Sequence, residues 1–360
     1  MRTKNSRATV WRRLARKALC GLWGAIALLT TAVSCRESPS YHLSQGAVFH
    51  TSFHIKYEYN TSLGKQIQAV LDSFNVSLNV FNDTSLIARI NANEEVEADD
   101  YFVAVFNKSM EISRLSGGMF DITCAPLINL WGFGFSEMDS ITPQRVDSVR
   151  AFVGYRKVRL QGRKVIKDDP RVLLNMSAIA KGYSCDMIAR MFDSYAIQNY
   201  LIEIGGEIRA KGVNPNGVCW RVEIAKPEED PLGLIHARQE VIQLCDLSLA
   251  TSGSYRNYRV RDGKKYAHII DPLTGYPAEQ EILSATVVAA DCMTADAYAT
   301  TFMTLGLEKA CRLGDAIQGL AYYFVYLDQQ DSLRVKYSEA LQKLIPDAYE
   351  TFMPTVEGEK

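Results

Sequence analysis

The chain has 360 residues, 47% of them hydrophobic and 22% charged, with a formal net charge of −1. That is globular material with ample length for a large core. A charge so near zero removes any global electrostatic argument for nucleic-acid binding.

The first 35 residues differ from the rest. Arg12, Arg13, Arg16 and Lys17 precede a mainly apolar run from Ala18 to Val33. A basic start followed by a short apolar run is the layout of a secretory signal, and the run is short for a stable transmembrane span. It ends in Ala32-Val33-Ser34-Cys35, small residues before a cysteine, similar to the lipobox of bacterial lipoproteins. Residues 1–35 are therefore expected to be a signal peptide with Cys35 as the lipidated residue, the alternative being a plain N-terminal anchor. The polar stretch 36–46 is expected to be a tether, and residues 47–350 a single folded unit.

Within that unit, Ala47–Tyr59 alternates apolar and aromatic residues and predicts a strand. Ile67, Val70, Leu71 and Phe74 give helical spacing over Leu63–Val80. A second helix is expected over Asp99–Leu115, closed by Gly117-Gly118. Phe120–Gly134 reads FDITCAPLINLWGFG, and Leu173–Asp186 reads LLNMSAIAKGYSCD before continuing as a helix through Phe192. Tyr200–Gly212, YLIEIGGEIRAKG, predicts strand, glycine turn and strand. Trp220–Ile224 and Gln239–Leu244 predict further strands. Tyr255–Ile270 predicts a hairpin turning at Asp262-Gly263. A β-branched strand follows at Ser284–Ala290, a helix at Thr294–Gly314 and a strand at Tyr322–Leu327. Strands gathered in hairpins with helices between them predict an α+β fold with largely antiparallel pairing. Of the eight cysteines, Cys20 and Cys35 lie in the leader; Cys124, Cys185, Cys219, Cys245, Cys292 and Cys311 show no CxxC or metal-ligand spacing and are expected to be buried free thiols.

Four places are candidates for chemistry. Asp296 and Thr300, four apart at a helix start, put a carboxylate and a hydroxyl on one helical face. Both are oxygen donors suited to Mg²⁺, and Asp near a helix start is equally what capping and the helix dipole favour. Asn175–Gly182, NMSAIAKG, places small residues and Lys181 at a helix start, where free N–H groups can meet a pyrophosphate; a close-packed turn into a buried helix is the other reading. His268 stands near a strand end before the turn signal Asp271-Pro272 and offers either a proton acceptor or a structural ring. Gly205-Gly206-Glu207 is either a close backbone approach or an ordinary hairpin turn.

In order along the chain, FDITCAPLINLWGFG, SAIAKGYSCD, IEIGGEIRAKG, ATSGSYRNY, HIIDPLTG and TADAYAT resemble the ApbE family of FAD:protein FMN transferases, from about Ala47 to about Asp328. The resemblance implies a Mg²⁺-dependent transfer of FMN from FAD to a Thr or Ser hydroxyl of an acceptor protein, with AMP released. It implies metal ligands at Asp296, Thr300 and the backbone carbonyl of Ala178. It places Lys181 and Asn175 in the FAD site, Phe81 at a ring position near the flavin nucleotide, Met119, Phe120 and Asp121 in a flavin-nucleotide contact segment, and His268 as the residue needed for transfer. The family commonly has Asp where this chain has Asn175, Tyr where it has Phe81, and a Met-Gly-Thr-like segment where it has Phe49-His50-Thr51. The same site allows hydrolysis of FAD to FMN and AMP, or FAD carriage without turnover, as alternatives. The implied setting is the cell envelope, lipid-anchored to a membrane and facing the periplasm, with a membrane-associated or exported acceptor.

Overall fold

A computed structural model describes residues 40–134, 141–224, 240–253, 258–261, 264–278, 281–330 and 332–346. The signal segment, Cys35 and the expected turn residues Asp262-Gly263 lie outside them.

The centre is an eight-stranded sheet in the order β1 (Ser40–Val48), β2 (Thr51–Tyr59), β5 (Tyr200–Ile204), β6 (Glu207–Lys211), β9 (Ser248–Gly253), β12 (Ile282–Ala289), β13 (Ala321–Leu327) and β14 (Leu333–Tyr337). From β2 to β14 every neighbouring pair is antiparallel. Three antiparallel two-stranded ribbons accompany it: β3 (Val158–Gln161) with β4 (Lys164–Lys167), β7 (Trp220–Glu223) with β8 (Val241–Leu244), and β10 (Tyr258–Arg261) with β11 (Lys264–Ala267). The α+β, largely antiparallel expectation holds.

The helices that position the site are α1 (Gly64–Leu78), α2 (Leu86–Asn91), α3 (Asp100–Leu115), α4 (Ala125–Leu130), α5 (Pro143–Arg150), α6 (Ser177–Ser194) and α7 (Cys292–Leu305), with α8 (Leu307–Ala316) continuing from α7. Strand periodicity splits β12 and β13 between two cores. Ala285, Val287, Tyr322 and Phe324 join the core that holds Ile179, Tyr183 and Phe302. Val288, Tyr323 and Val325 join the core that holds Trp220, Ile242 and Leu244. Burial on both faces explains the unbroken apolar run of β13.

Three boundaries differ from expectation. The tether expected at 36–46 is strand β1 from Ser40 onward, because Tyr41 has somewhere to go: its ring meets Trp220 edge-on at 6.2 Å and its hydroxyl donates to the Val213 carbonyl. The single strand expected at Ala47–Tyr59 is the second half of a hairpin. Phe49 and His50 turn it with φ of 51° and 60°, the left-handed pair of a type I′ turn, made here without the Asn or Gly that normally announces it. The helix expected at Thr294–Gly314 is two helices, broken at Gly306 with φ 74°.

Cys219 and Cys245 form a disulfide across the β7–β8 ribbon, against the expectation of free thiols; Cys124, Cys185 and Cys292 are buried and free, and Cys311 is free and half-buried. Closing a 26-residue separation contributes about 3 kcal/mol by restricting the unfolded chain. Cys245→Ala is expected to lose about that much stability in denaturant titration. An unchanged midpoint would show the bridge to be dispensable.

Candidate active site

Helices α6 and α7 cross at Gly182. A Cβ there would collide with the Cys292 carbonyl oxygen and lie 2.8 Å from the Asp296 Cβ, so only glycine permits this approach. Asp186, one turn further along α6, accepts hydrogen bonds from the backbone N–H groups of Cys292 and Met293 at 2.9 Å each. It thereby satisfies two donors at the α7 start that have no partner in the helix itself, while burial pushes its carboxyl up to about 6 against the pull of those N–H groups. Asp291 caps the same end, accepting from Thr294 N–H at 2.8 Å. Gly182→Ala is expected to cost about 1–3 kcal/mol, the range for overpacking a tight contact. Thermal unfolding of the purified variant measures it, and an unshifted Tm would show that the crossing is slack.

This crossing sets Asp296. The side chain is 3% exposed, and its Oδ2 accepts from the Gly182 N–H at 2.9 Å. In an α-helix the N–H of residue 182 points at the carbonyl of residue 178. The Asp296 carboxylate and the Ala178 carbonyl therefore converge on one N–H, two oxygen donors from two helices. Thr300, half-buried one turn along the same face of α7, shares a hydrogen bond of 3.1 Å with the Ser252 hydroxyl at the end of β9. One turn further, Thr304 Oγ1 donates to the Met119 carbonyl at 3.2 Å. A single stripe of α7 thus ties the start of α6, the end of β9 and the Met119 segment together.

Lys181 and Glu207 complete the charge cluster. The Lys181 ammonium donates to Glu207 Oε1. Glu207 is 2% exposed, and its Oε2 has no hydrogen-bond partner among the described residues. Burial works against the charge of Lys181, but the Glu207 and Asp296 carboxylates outweigh it and hold its pKa above the ordinary lysine value. Burial raises the pKa of both Glu207 and Asp296, outweighing the downward pull of Lys181 on each and of the Gly182 N–H on Asp296. Among the described residues no group of three or more His, Cys, Asp and Glu side chains is placed to hold a metal. The donor set at Asp296 is instead carboxylate, hydroxyl and carbonyl oxygen, which suits a hard divalent ion that keeps waters and takes phosphate oxygens.

The other predicted residues lie on other elements. Asp121 is occupied by its own loop: Oδ1 accepts from Thr123 N–H (2.7 Å) and Thr123 Oγ1 (2.6 Å), and Oδ2 accepts from Tyr155 N–H (2.6 Å). Burial raises its pKa against those bonds. In this position it shapes the Met119–Thr123 loop, leaving Met119 half-buried and Phe120 buried. Asn175 lies alongside, its N–H donating to the Ile122 carbonyl at 2.7 Å and its Oδ1 accepting from Ser177 N–H at 2.9 Å. His268 follows β11 at the base of a hairpin closed by the Ala278 N–H to Ile269 carbonyl bond. Its ring meets Phe133 at 6.4 Å, and Trp131 Nε1 donates to the Gly275 carbonyl at 2.9 Å. The HIIDPLTG and LINLWGFG segments are thereby one packed unit, and the Leu273 side chain at the hairpin tip lies against Gly118. Phe81 is 56% exposed, with its ring edge-on to His50 at 5.2 Å. It borders the β1–β2 turn, whose Thr51 side chain packs at Gly205 beside Glu207.

Gly205-Gly206-Glu207 reads in sequence only as a close approach or a turn, Gly182 only as part of a small-residue segment, and Asp186 not at all. The available signal was a charged residue directly after two glycines inside an apolar strand pair, at a position that buries it. Nothing local indicates that Asp186, mid-helix, caps a helix 106 residues later in the chain.

The family model for the ApbE family matches residues 49–324. A Vibrio cholerae protein described as FAD:protein FMN transferase is 35% identical over 306 residues, covering 82% of this chain and 90% of its own. A Haemophilus influenzae protein of the same description is 33% identical over 337 residues, covering 89% and 96%. Among solved structures, the flavin transferase ApbE from Vibrio cholerae superposes with a TM-score of 0.75 at 32% identity, over 85% of this chain and all of that one. The apo flavinyl transferase ApbE of Pseudomonas stutzeri gives 0.76 at 28% identity, over 85% and 97%. With a family match across most of the folded unit, relatives covered nearly end to end and the same fold, this chain belongs to the ApbE family.

Proposed function

We propose that this chain transfers FMN from FAD to a Thr or Ser hydroxyl of another exported or membrane-associated protein, releasing AMP. The observation that carries the reading is the convergence of the Asp296 carboxylate and the Ala178 carbonyl on the Gly182 N–H, with Thr300 one turn away and Lys181 in the same cluster. Asp296, Thr300 and the Ala178 carbonyl would hold Mg²⁺, which would supply Lewis acidity and a template for the pyrophosphate. The chain's own groups do the rest. Lys181 places a fixed positive charge at the α6 start, where backbone N–H groups also favour an anion. The Met119–Asp121 loop and Asn175, joined through Ile122, form the wall against which the flavin nucleotide is oriented. His268 takes the proton of the incoming hydroxyl. The acceptor oxygen bonds to the phosphorus on the FMN side, the bond from that phosphorus to the bridging oxygen breaks, and AMP leaves with that oxygen.

The lipobox-like ending at Cys35 supports a lipid-anchored, periplasm-facing location, as does the Cys219–Cys245 disulfide, a bond that persists in oxidising compartments. Mass spectrometry of envelope proteins from cells with and without this chain is the test. The expected result is an FMN-sized adduct on a specific Thr or Ser only when the chain is present. Rapid AMP release from FAD and Mg²⁺ without any acceptor would show a hydrolase, and stable FAD binding with neither AMP nor adduct would show a carrier.

A further inference from the structure

We infer that Glu207 is the residue that keeps Asp296 available to a divalent cation, by absorbing the charge of Lys181. The inference rests on the metal-assisted reading of the site given above. An ammonium in the same buried cluster as a lone carboxylate would form an ion pair with it and repel a second cation. Here the cluster holds two carboxylates and one ammonium: Lys181 is bonded to Glu207 Oε1, and Asp296 Oδ2 is held by the Gly182 N–H instead. One negative charge is left over, on the helix that also carries Thr300. Glu207 is placed for this by backbone geometry. Gly205 and Gly206 turn the chain with φ of 65° and 101°, so that Glu207, the first residue of β6, is set beneath the start of α6. The Cys185 thiol of α6 approaches the Glu207 carbonyl at 3.4 Å, which fixes that register. The carboxylate is 2% exposed, and its Oε2 has no partner among the described residues. A buried, half-satisfied carboxylate is costly, and a hairpin turn alone does not need one. Glu207 is thus a positioning residue: it acts through Lys181 and Asp296, not on the reacting atoms.

The test is a charge cycle on the full-length protein, read by Mn²⁺ binding and not by turnover. Free Mn²⁺ is followed by electron paramagnetic resonance with no nucleotide present, so that neither chelation by a pyrophosphate nor its attraction to Lys181 enters the reading. Glu207→Gln, close in shape but uncharged, is expected to weaken Mn²⁺ binding by about tenfold or more, the order for losing one nearby unit charge. Lys181→Met is expected to tighten it, and Glu207→Gln combined with Lys181→Met to return it close to wild type. A purely structural Glu207 would not be rescued by removing the lysine. The double variant also covers the case in which Glu207→Gln fails to fold, since it buries no unpaired charge at this pair. Equal Mn²⁺ affinity in wild type and Glu207→Gln, or a double variant no tighter than Glu207→Gln, would overturn this inference and leave the transferase reading standing. Absence of Mn²⁺ binding in the wild type would overturn the metal reading itself.

Discussion

Asp296→Asn is expected to lower FMN transfer by about 10³-fold or more, the scale for removing a group that stabilises charge developing in the transition state. The substitution changes little else. Asparagine has nearly the same volume, and its amide oxygen can still accept from the Gly182 N–H that now bonds Oδ2 at 2.9 Å. What disappears is the negative charge that the cluster holds in excess of Lys181. Burial pushes the Asp296 pKa up, so its ionised form depends on Lys181 and the Gly182 N–H. A neutral side chain at this position costs the fold little and denies a divalent ion its only anionic ligand in the set of Asp296, Thr300 and the Ala178 carbonyl. The measurement is the transfer rate at saturating FAD and acceptor as Mg²⁺ is raised, with thermal unfolding alongside. Retention of more than about a tenth of the wild-type rate at all Mg²⁺ concentrations would remove Asp296 from the metal role.

Thr300 gives the contrasting case on the same helical face. Its hydroxyl already shares a hydrogen bond with Ser252, and a hydroxyl is a neutral ligand. The two residues were equally visible in the sequence as an i, i+4 pair. Their unequal weight was not, because it comes from packing: Asp296 lies at the glycine crossing of α6 and α7, and Thr300 lies one turn away at the end of β9.

What could be read without coordinates divides along the same line. Elements with a strong local signature came through nearly intact. Helix α3 begins where Asp99 accepts from Phe102 N–H at 2.8 Å, an N-cap that the residue type announces. Strands β5 and β6 flank the two glycines as expected. The β1–β2 hairpin is not legible because its turn opens on Phe49, a bulky residue that rarely adopts positive φ; tertiary packing, including Phe49 against Phe74 at 5.2 Å, overrides local preference there. The short ribbon β3–β4 and the disulfide escaped for a related reason: four-residue strands and scattered cysteines carry little periodicity or spacing. In the site, residue types were legible and partners were not. Lys181 reads as a phosphate-facing cation, and the motif resemblance says the same. That its nearest carboxylate is Glu207, 26 residues away and across a sheet hairpin, is a fact of topology. Asp121 shows the reverse. Its place in the FDITCAPLINLWGFG motif suggests ligand contact; the bonds that both of its oxygens accept from Thr123 and Tyr155, which shape its loop, are not legible there.

His268→Asn is expected to reduce transfer by about 10²–10⁴-fold, the usual contribution of a positioned proton acceptor, while leaving FAD binding within about twofold of wild type. The geometry separates the two effects. His268 is on the hairpin that Trp131 and Arg150 pin, through bonds to the Gly275 carbonyl (2.9 Å) and the Leu273 carbonyl (2.8 Å). Asp271 stiffens its tip by accepting from the Leu273 and Thr274 N–H groups. Those bonds hold the hairpin through its backbone carbonyls and the Asp271 side chain, and Asn is expected to leave them in place. Transfer to the acceptor and FAD affinity by flavin fluorescence are measured on the same preparation. Parallel loss of both would mean that the edge-on contact with Phe133 at 6.4 Å is structural, and that another group accepts the hydroxyl proton. Selective loss of transfer, with AMP release also abolished, would place the imidazole at the attacking oxygen, since departure of AMP requires that attack to occur first or together with it.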